Sequence, residues 1–188
     1  MHLSEILKAE LATFAERAKK SSLDILETGT IRGAGENYQR GDGWSTITFA
    51  EYVKANGGTV TSVDLNIDTA ATVLKAHRLA SNVKLVKSSS VDLLETMAAK
   101  KSPTSKGVLD VAFLDSENDA ELTLREFRTV SLLMRSPGLI MIDDVDMASK
   151  EVVKGHQVVP WLDAKGVTYR IVQRDGDGFR TGVLVLEV

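Results

Sequence analysis

The 188-residue chain has no cysteine. Disulfides, thiolate zinc sites and cysteine nucleophiles are thereby excluded together. It has no apolar run long enough to span a bilayer. The first twenty residues, MHLSEILKAELATFAERAKK, carry acids among their apolar positions and do not read as a signal peptide, so a cytoplasmic location is the expectation. Neither sign of charge dominates: the net charge is −3, which gives no bulk attraction toward nucleic acid. Two nucleotide-binding signatures are missing as well. No Gly-Lys-Ser/Thr occurs, which removes a Walker A loop. The glycines at 29, 33 and 35 are spaced G-x-x-x-G-x-G rather than G-x-G-x-x-G, so the tight pyrophosphate turn of a dinucleotide site is absent. Internal repeats and low-complexity tracts are also lacking.

What is present is an ordinary globular composition, 43% apolar and 26% charged, in a length that suits one domain over residues 1–188. Leu3, Ile6, Leu7, Leu11, Phe14 and Ala18 recur at helical spacing and predict an amphipathic helix over about 3–20. Strand-length apolar runs then alternate with helix-like segments. The runs are 23–26, 59–64, 83–87, 109–115 and 138–143; the helical segments are 45–56, 68–80, 90–100 and 120–134. Such alternation predicts an α/β fold, a parallel sheet with helices on both faces. After a helix near 156–165 the rhythm breaks. Strand-like runs at 167–173 and 180–188 flank RDGDGF, and the repeated Asp-Gly is a hairpin signal, so the last strand is expected to be antiparallel. The polar segment 100–107 reads as a loop.

Several strands end in an acid: Glu27, Asp64, Asp115, and Asp143 with Asp144 beside it. In a parallel sheet these ends share one edge, where ligands bind. Each acid taken alone is equally well read as a helix cap, although Glu is a poor cap and a glycine-rich loop, not a helix, follows Glu27. An acid-lined pocket repels phosphate and suits a cationic ligand or a metal. S-adenosylmethionine has a sulfonium, an ammonium and a ribose diol, and no phosphate. Asp64 is placed to accept both ribose hydroxyls, Glu27 to face the ammonium or sulfonium, and the glycines to let the backbone approach the methionine portion.

The segments ILETGTIRG, VTSVDLN, VKLVKSSSVDLL, LDVAFLDSENDAE and GLIMIDDVD, in that order, resemble the class I S-adenosylmethionine-dependent methyltransferases. The similarity is greatest to small O-methyltransferases of the catechol O-methyltransferase and cephalosporin-hydroxylase-like kind. It covers nearly the whole chain. It implies a Rossmann-like seven-stranded sheet of order 3-2-1-4-5-7-6 with strand 7 antiparallel. It also implies that Glu27 and Gly29 belong to the first cofactor motif, that Asp64 is the ribose ligand, that Ser89 and Ser90 meet the adenine, and that Asp115 follows strand four near the cofactor. In the catechol-type enzymes an acid after strand four and an adjacent pair after strand five hold Mg²⁺. The matching residues here are Asp115, Asp143 and Asp144, a hard all-oxygen set for Mg²⁺ or another divalent cation. Alternatively, Asp115 and Asp143 only hydrogen-bond loop amides.

Two departures stand out. The catechol-type lysine base lies three residues after the strand-four acid, where this chain has Asn118, so the proton acceptor is absent or comes from elsewhere. Asp115 and His156 are the remaining candidates for a catalytic role; His156 is equally well a solvated helix residue. The insert 34–43 is expected over the cofactor mouth, with Tyr38, Arg40 and Trp44 as pocket candidates, although an aromatic such as Trp44 is more often buried in the core. Trp161 reads as core, and His77 as surface. Ser88, Ser89 and Ser90 could cap a helix as well as touch a base. The leading reading is methyl transfer from S-adenosylmethionine to a small-molecule acceptor, at oxygen, by a chain with no nucleic-acid or membrane partner and with self-association into a homo-oligomer left open. Its rivals are a non-catalytic methyltransferase-like binding protein and a nicotinamide-dependent oxidoreductase.

Overall fold

The computed structural model describes residues 1–35, 44–102, 106–174 and 181–188. Six α-helices occur among the described residues: α1 Leu3–Ala18, α2 Ser45–Asn56, α3 Asp68–Ala76, α4 Ser90–Lys100, α5 Ala120–Ser131 and α6 Gly155–Ala164. The strands are β1 Leu23–Thr28, β2 Gly58–Asp64, β3 Val83–Lys87, β4 Leu109–Leu114, β5 Met134–Val145, β6 Arg170–Gln173 and β7 Gly182–Glu187. They form one sheet of order β3-β2-β1-β4-β5-β7-β6. β1 to β5 pair in parallel, and β7 runs antiparallel to both β5 and β6. Order and direction agree with the expectation from the sequence. The Asp-Gly turn itself, like Tyr38, Arg40 and most of the 34–43 insert, lies outside the described residues, as do 103–105 of the polar loop.

The central strands are buried on both faces, and side chains alternate between two cores. Ile25, Val111, Phe113, Leu139, Met141, Val183 and Val185 pack with Leu3, Leu7, Leu11 and Phe14 of α1 and with Phe49 and Val53 of α2. Leu26, Ala112, Leu114, Ile140, Ile142, Leu184 and Leu186 pack on the other face with Leu94 of α4, Phe127 and Val130 of α5, and Val158 and Leu162 of α6. A third cluster joins Ile31, Trp44 and Ile47 to Val73, Leu74 and Leu79. α3 stops at Ala76, short of the expected 80. Arg78 takes a left-handed conformation (φ 58°), which ends the helix and turns Leu79, 3% exposed, into this cluster. Trp44 is buried there too, its indole N–H donating to the Gly33 carbonyl at 3.1 Å.

Candidate functional site

The C-terminal ends of β1 to β4 open onto a cleft of about 400 Å³, lined by Gly29, Asp64, Ser88, Ser89, Ser90 and Ser116 among others. That size lies in the range of small-ligand pockets, about 300–1,000 Å³. An adjoining recess shares Gly29, Arg32, Asp64 and Ser116 and adds Asp115 and Trp44. The structure thus brings together Gly29, Asp64, Ser89, Ser90 and Asp115, five of the residues singled out in the sequence. Asp64 ends β2, and its two carboxylate oxygens accept from the Thr30 and Asn66 amides at 3.2 and 2.9 Å. These bonds fix the carboxylate and leave acceptor capacity facing the cleft. Leu65 beside it is 71% exposed and gives the cleft an apolar wall. Ser89 caps α4 through the Asp92 amide, so the serine run serves the helix and lines the cleft at once.

Gly29 has φ 84°, and a Cβ there would sit 2.1 Å from the Asp115 carbonyl oxygen. Its lack of a side chain therefore lets the end of β1 pass against the end of β4, the contact on which the cleft floor is built. Glu27 lies inside β1 and below the cleft rather than on its rim. It is 0% exposed, and its carboxylate accepts from Ser45 (2.5 Å), Thr46 (2.7 Å) and Ser62 (2.7 Å). Burial raises its pKa to about 7, against the opposing pull of these three hydroxyls. In this arrangement it ties α2 and β2 to β1 from below the cleft. A second buried acid that sequence reasoning missed, Glu126 of α5, accepts from Thr28 and Ser116 at 3.2 and 3.0 Å. It anchors a cleft-lining serine to the core, and burial raises its pKa as well.

Asp115, Asp143 and Asp144 do gather, with ligand oxygens within 4.8 Å of one another. Consecutive residues of a regular strand point to opposite faces, so two adjacent acids reaching one spot need an explanation. β5 carries a bulge: the register against β7 shifts between Ile142 and Val145, and Asp144 has φ 53°. The bulge re-aims the second carboxylate.

The charge of this cluster is not open, however. The Lys154 ammonium lies 2.5 Å from Asp115 Oδ1 and 3.7 Å from Asp144 Oδ2. The Arg174 guanidinium donates to both oxygens of Asp143 at 3.1 and 2.9 Å and to Asp144 at 3.3 Å. Burial and the neighbouring acids raise the Asp143 pKa to about 7 even so. The Asp115 pKa is raised by burial, against the pull of Lys154. Lys154 is pushed down by burial, but Asp115, Asp144 and Asp143 outweigh this and raise it, keeping the ammonium charged. As they stand, three carboxylates already paired to two cations do not fit a divalent ion.

A lysine does reach Asp115, but from the segment between β5 and α6 rather than from position 118. Asn118 has a part in delivering it: its side chain donates to the Glu151 carbonyl at 2.6 Å and accepts from the Val153 amide at 2.9 Å. Gly155 then lets the start of α6 close on the end of β5, since a Cβ there would sit 2.7 Å from Val145. His156 makes a 3.3 Å contact to the Asp146 carbonyl and is not among the residues lining the cleft. Trp161 packs beside the core of α5, edge-on to Phe127; His77 is exposed and meets Trp44 edge-on. Among the described residues no helix is long and apolar enough to cross a membrane.

A family model for a methyltransferase domain matches residues 40–145. No curated protein matches the chain. Among solved structures, an O-methyltransferase from Bacillus cereus in complex with SAH (S-adenosylhomocysteine) superposes with a TM-score of 0.71 at 18% identity, over 98% of this chain and 80% of that one. A Klebsiella pneumoniae protein assigned as an O-methyltransferase gives 0.67 at 21% identity, over 96% and 79%. Fibrillarin from Aeropyrum pernix, with natively bound S-adenosyl-L-methionine, gives 0.60 at 13% identity, over 88% and 66%. At these identities the likeness is one of fold.

Proposed function

The chain belongs to the methyltransferase-domain family, and from that membership we propose that it uses S-adenosylmethionine to methylate a small-molecule acceptor on oxygen. The observation that carries this reading is the position of Asp64. It ends the second strand inside a cleft of about 400 Å³, held by two backbone amides with acceptor capacity for a ribose diol. The chemistry of the surroundings supports it. Asp64, Asp115 and Glu117 line the cleft and its recess against one cationic lining residue, Arg32, a net acidic setting that favours a sulfonium and an ammonium over a phosphate. Leu65 and Leu122 offer apolar surface to an aromatic base, and Ser88, Ser89 and Ser90 offer hydroxyls to its edge. The solved neighbours whose structures contain S-adenosylhomocysteine or S-adenosyl-L-methionine point the same way.

When bound, S-adenosylmethionine supplies a methyl group on a positively charged sulfur, for in-line displacement by the acceptor oxygen. The chain's own contribution is then position and charge. Gly29 and Asp64 fix the cleft floor and one wall. Asp115 lines the recess beside them, where its carboxylate can accept a hydrogen bond from an acceptor hydroxyl and orient the oxygen. Lys154 and Arg174 hold the acids behind it. The modest net charge and the acidic cleft support a small neutral or cationic acceptor over a polyanion.

A thermal-shift panel tests this. S-adenosylmethionine and S-adenosylhomocysteine should each raise the melting temperature by mass action, and NAD should not. A response to NAD with none to S-adenosylhomocysteine overturns the reading in favour of the oxidoreductase.

A further inference from the structure

We infer that Lys154, with Arg174, is the resident cation of the three-aspartate cluster, so that this chain positions Asp115 without a divalent metal. The inference rests on the methyltransferase reading only for the reaction it serves; the charge arrangement stands on geometry.

The first argument is electrostatic. Three carboxylates within 4.8 Å of one another repel strongly unless positive charge lies among them. One ammonium and one guanidinium supply the same two positive charges as one divalent ion. They are also distributed over all three acids: Lys154 on Asp115 and Asp144, Arg174 on Asp143 and Asp144. A divalent ion binding the same oxygens would have to displace Lys154, leaving a buried ammonium without partners, which is costly.

The second argument is that Lys154 is an expensive residue where it stands. It is 3% exposed, and it occupies the N-cap of α6, where the helix dipole disfavours a cation. Neither local helix formation nor solvation explains a lysine there. The aspartates do.

The third argument is that the fold delivers it deliberately. Asn118 bridges Glu151 and Val153, and Gly155 permits the close approach of α6 to β5. Together they set the one residue between them, Lys154, against Asp115. Asp115 lines the recess, whereas Lys154 is not among its lining residues. Lys154 is therefore a positioning residue: it holds Asp115 toward the acceptor from behind, the place where catechol-type sites use an ion.

The test is thermal melting of the full chain after chelator treatment, at neutral pH, with Mg²⁺ or Mn²⁺ added and no nucleotide present. The wild type should show no ion-dependent shift. Lys154→Ala should melt lower and should gain an ion-dependent rise, about 5–10 °C with the ion roughly 100-fold above its dissociation constant, because the vacated cluster becomes an all-oxygen site. Lys154→Arg should behave like the wild type. A merely structural lysine would lower the melting temperature without creating ion binding. If Lys154→Ala does not fold, Lys154→Gln removes the charge while keeping length and a donor, and calorimetry reads the ion directly. A wild type stabilised by Mg²⁺ or Mn²⁺ overturns the inference, as does a charge-free variant that stays indifferent to both. Failure of S-adenosylhomocysteine to bind would show in the nucleotide panel and leave this measurement untouched.

Discussion

The ammonium of Lys154 contacts Asp115 at 2.5 Å across thirty-nine residues of sequence. It joins the N-cap of α6 to the end of β4. Removing one member of a buried pair leaves the other charge uncompensated, which commonly costs about 3–5 kcal/mol. Asp115 retains 18% side-chain exposure, so the low end applies. Lys154→Met and Asp115→Leu should each destabilise by roughly 3 kcal/mol, and the double variant by clearly less than their sum. Denaturant melts of the four proteins form the cycle, and strict additivity would mean that the two do not interact.

At the cofactor cleft, Asp64→Ala should weaken S-adenosylhomocysteine binding by about 1.5–3 kcal/mol, the range for hydrogen bonds to a charged group. The fold should persist, because among the described residues the carboxylate accepts from the Thr30 and Asn66 amides at a strand end. Calorimetry reads the affinity, and an unchanged value would remove Asp64 from the site.

Glu27 gives a prediction in pH. Its folded pKa is raised from 4.5 to about 7 by burial. Between those values the unfolded chain has released the proton while the folded chain keeps it. Stability therefore falls as pH rises through this window, by on the order of 3 kcal/mol for this group. Asp143 is raised into the same range, so the wild type retains a slope from that source in any case. Glu27→Gln should flatten the dependence between pH 5 and 7 relative to the wild type, and unfolding at a series of pH values measures the difference. Parallel curves would show that Glu27 is ionised in the folded protein throughout.

Two glycines with positive φ separate strain from contact. A Cβ added at Gly166 (φ 65°) would meet nothing within 4 Å, whereas one added at Gly29 (φ 84°) would sit 2.1 Å from the Asp115 carbonyl oxygen. Gly166→Ala should cost about 1 kcal/mol from backbone conformation alone. Gly29→Ala should cost roughly 3 kcal/mol or more and weaken cofactor binding as the cleft floor shifts. Similar losses at the two positions would contradict the contact.

The sheet is legible in the sequence because each element carries its own periodicity, and the order of motifs supplies the topology. α2 and α4 have the expected bounds, 45–56 and 90–100. The end of α3 is not legible, since its stop depends on where Leu79 packs, a tertiary demand invisible in helix propensity. The cleft acids are legible because strand ends in a parallel sheet share an edge. Glu27 departs from that rule by a single residue of strand: β1 continues to Thr28, which puts the carboxylate among hydroxyls below the cleft. Lys154 and Arg174 escape sequence reasoning because their role is a matter of space. A search outward from Asp115 along the chain finds Asn118 and no lysine. The available signal is an excess of acid at one expected edge with no counter-charge beside it, against a single lysine before the Gly-His of the last helix.

The bulge in β5 also acts as a change of parity. Before it, even-numbered residues Ile140 and Ile142 face one core and odd-numbered Leu139 and Met141 the other. After it, odd-numbered Val145 lies with Ile140 and Ile142. Asp143 and Asp144 together stand opposite the single residue Val183, between the pairs Ile142–Leu184 and Val145–Gly182. One residue has been counted without advancing the alternation. Losing the bulge while keeping both acids would therefore do more than re-aim a carboxylate: it would put Val145 on the odd face with Leu139 and Met141. Deleting Asp144 would instead leave Val145 beside Ile142 and remove only the second carboxylate. The bulge thus lets two adjacent acids reach one cluster while the strand on either side of them keeps its faces.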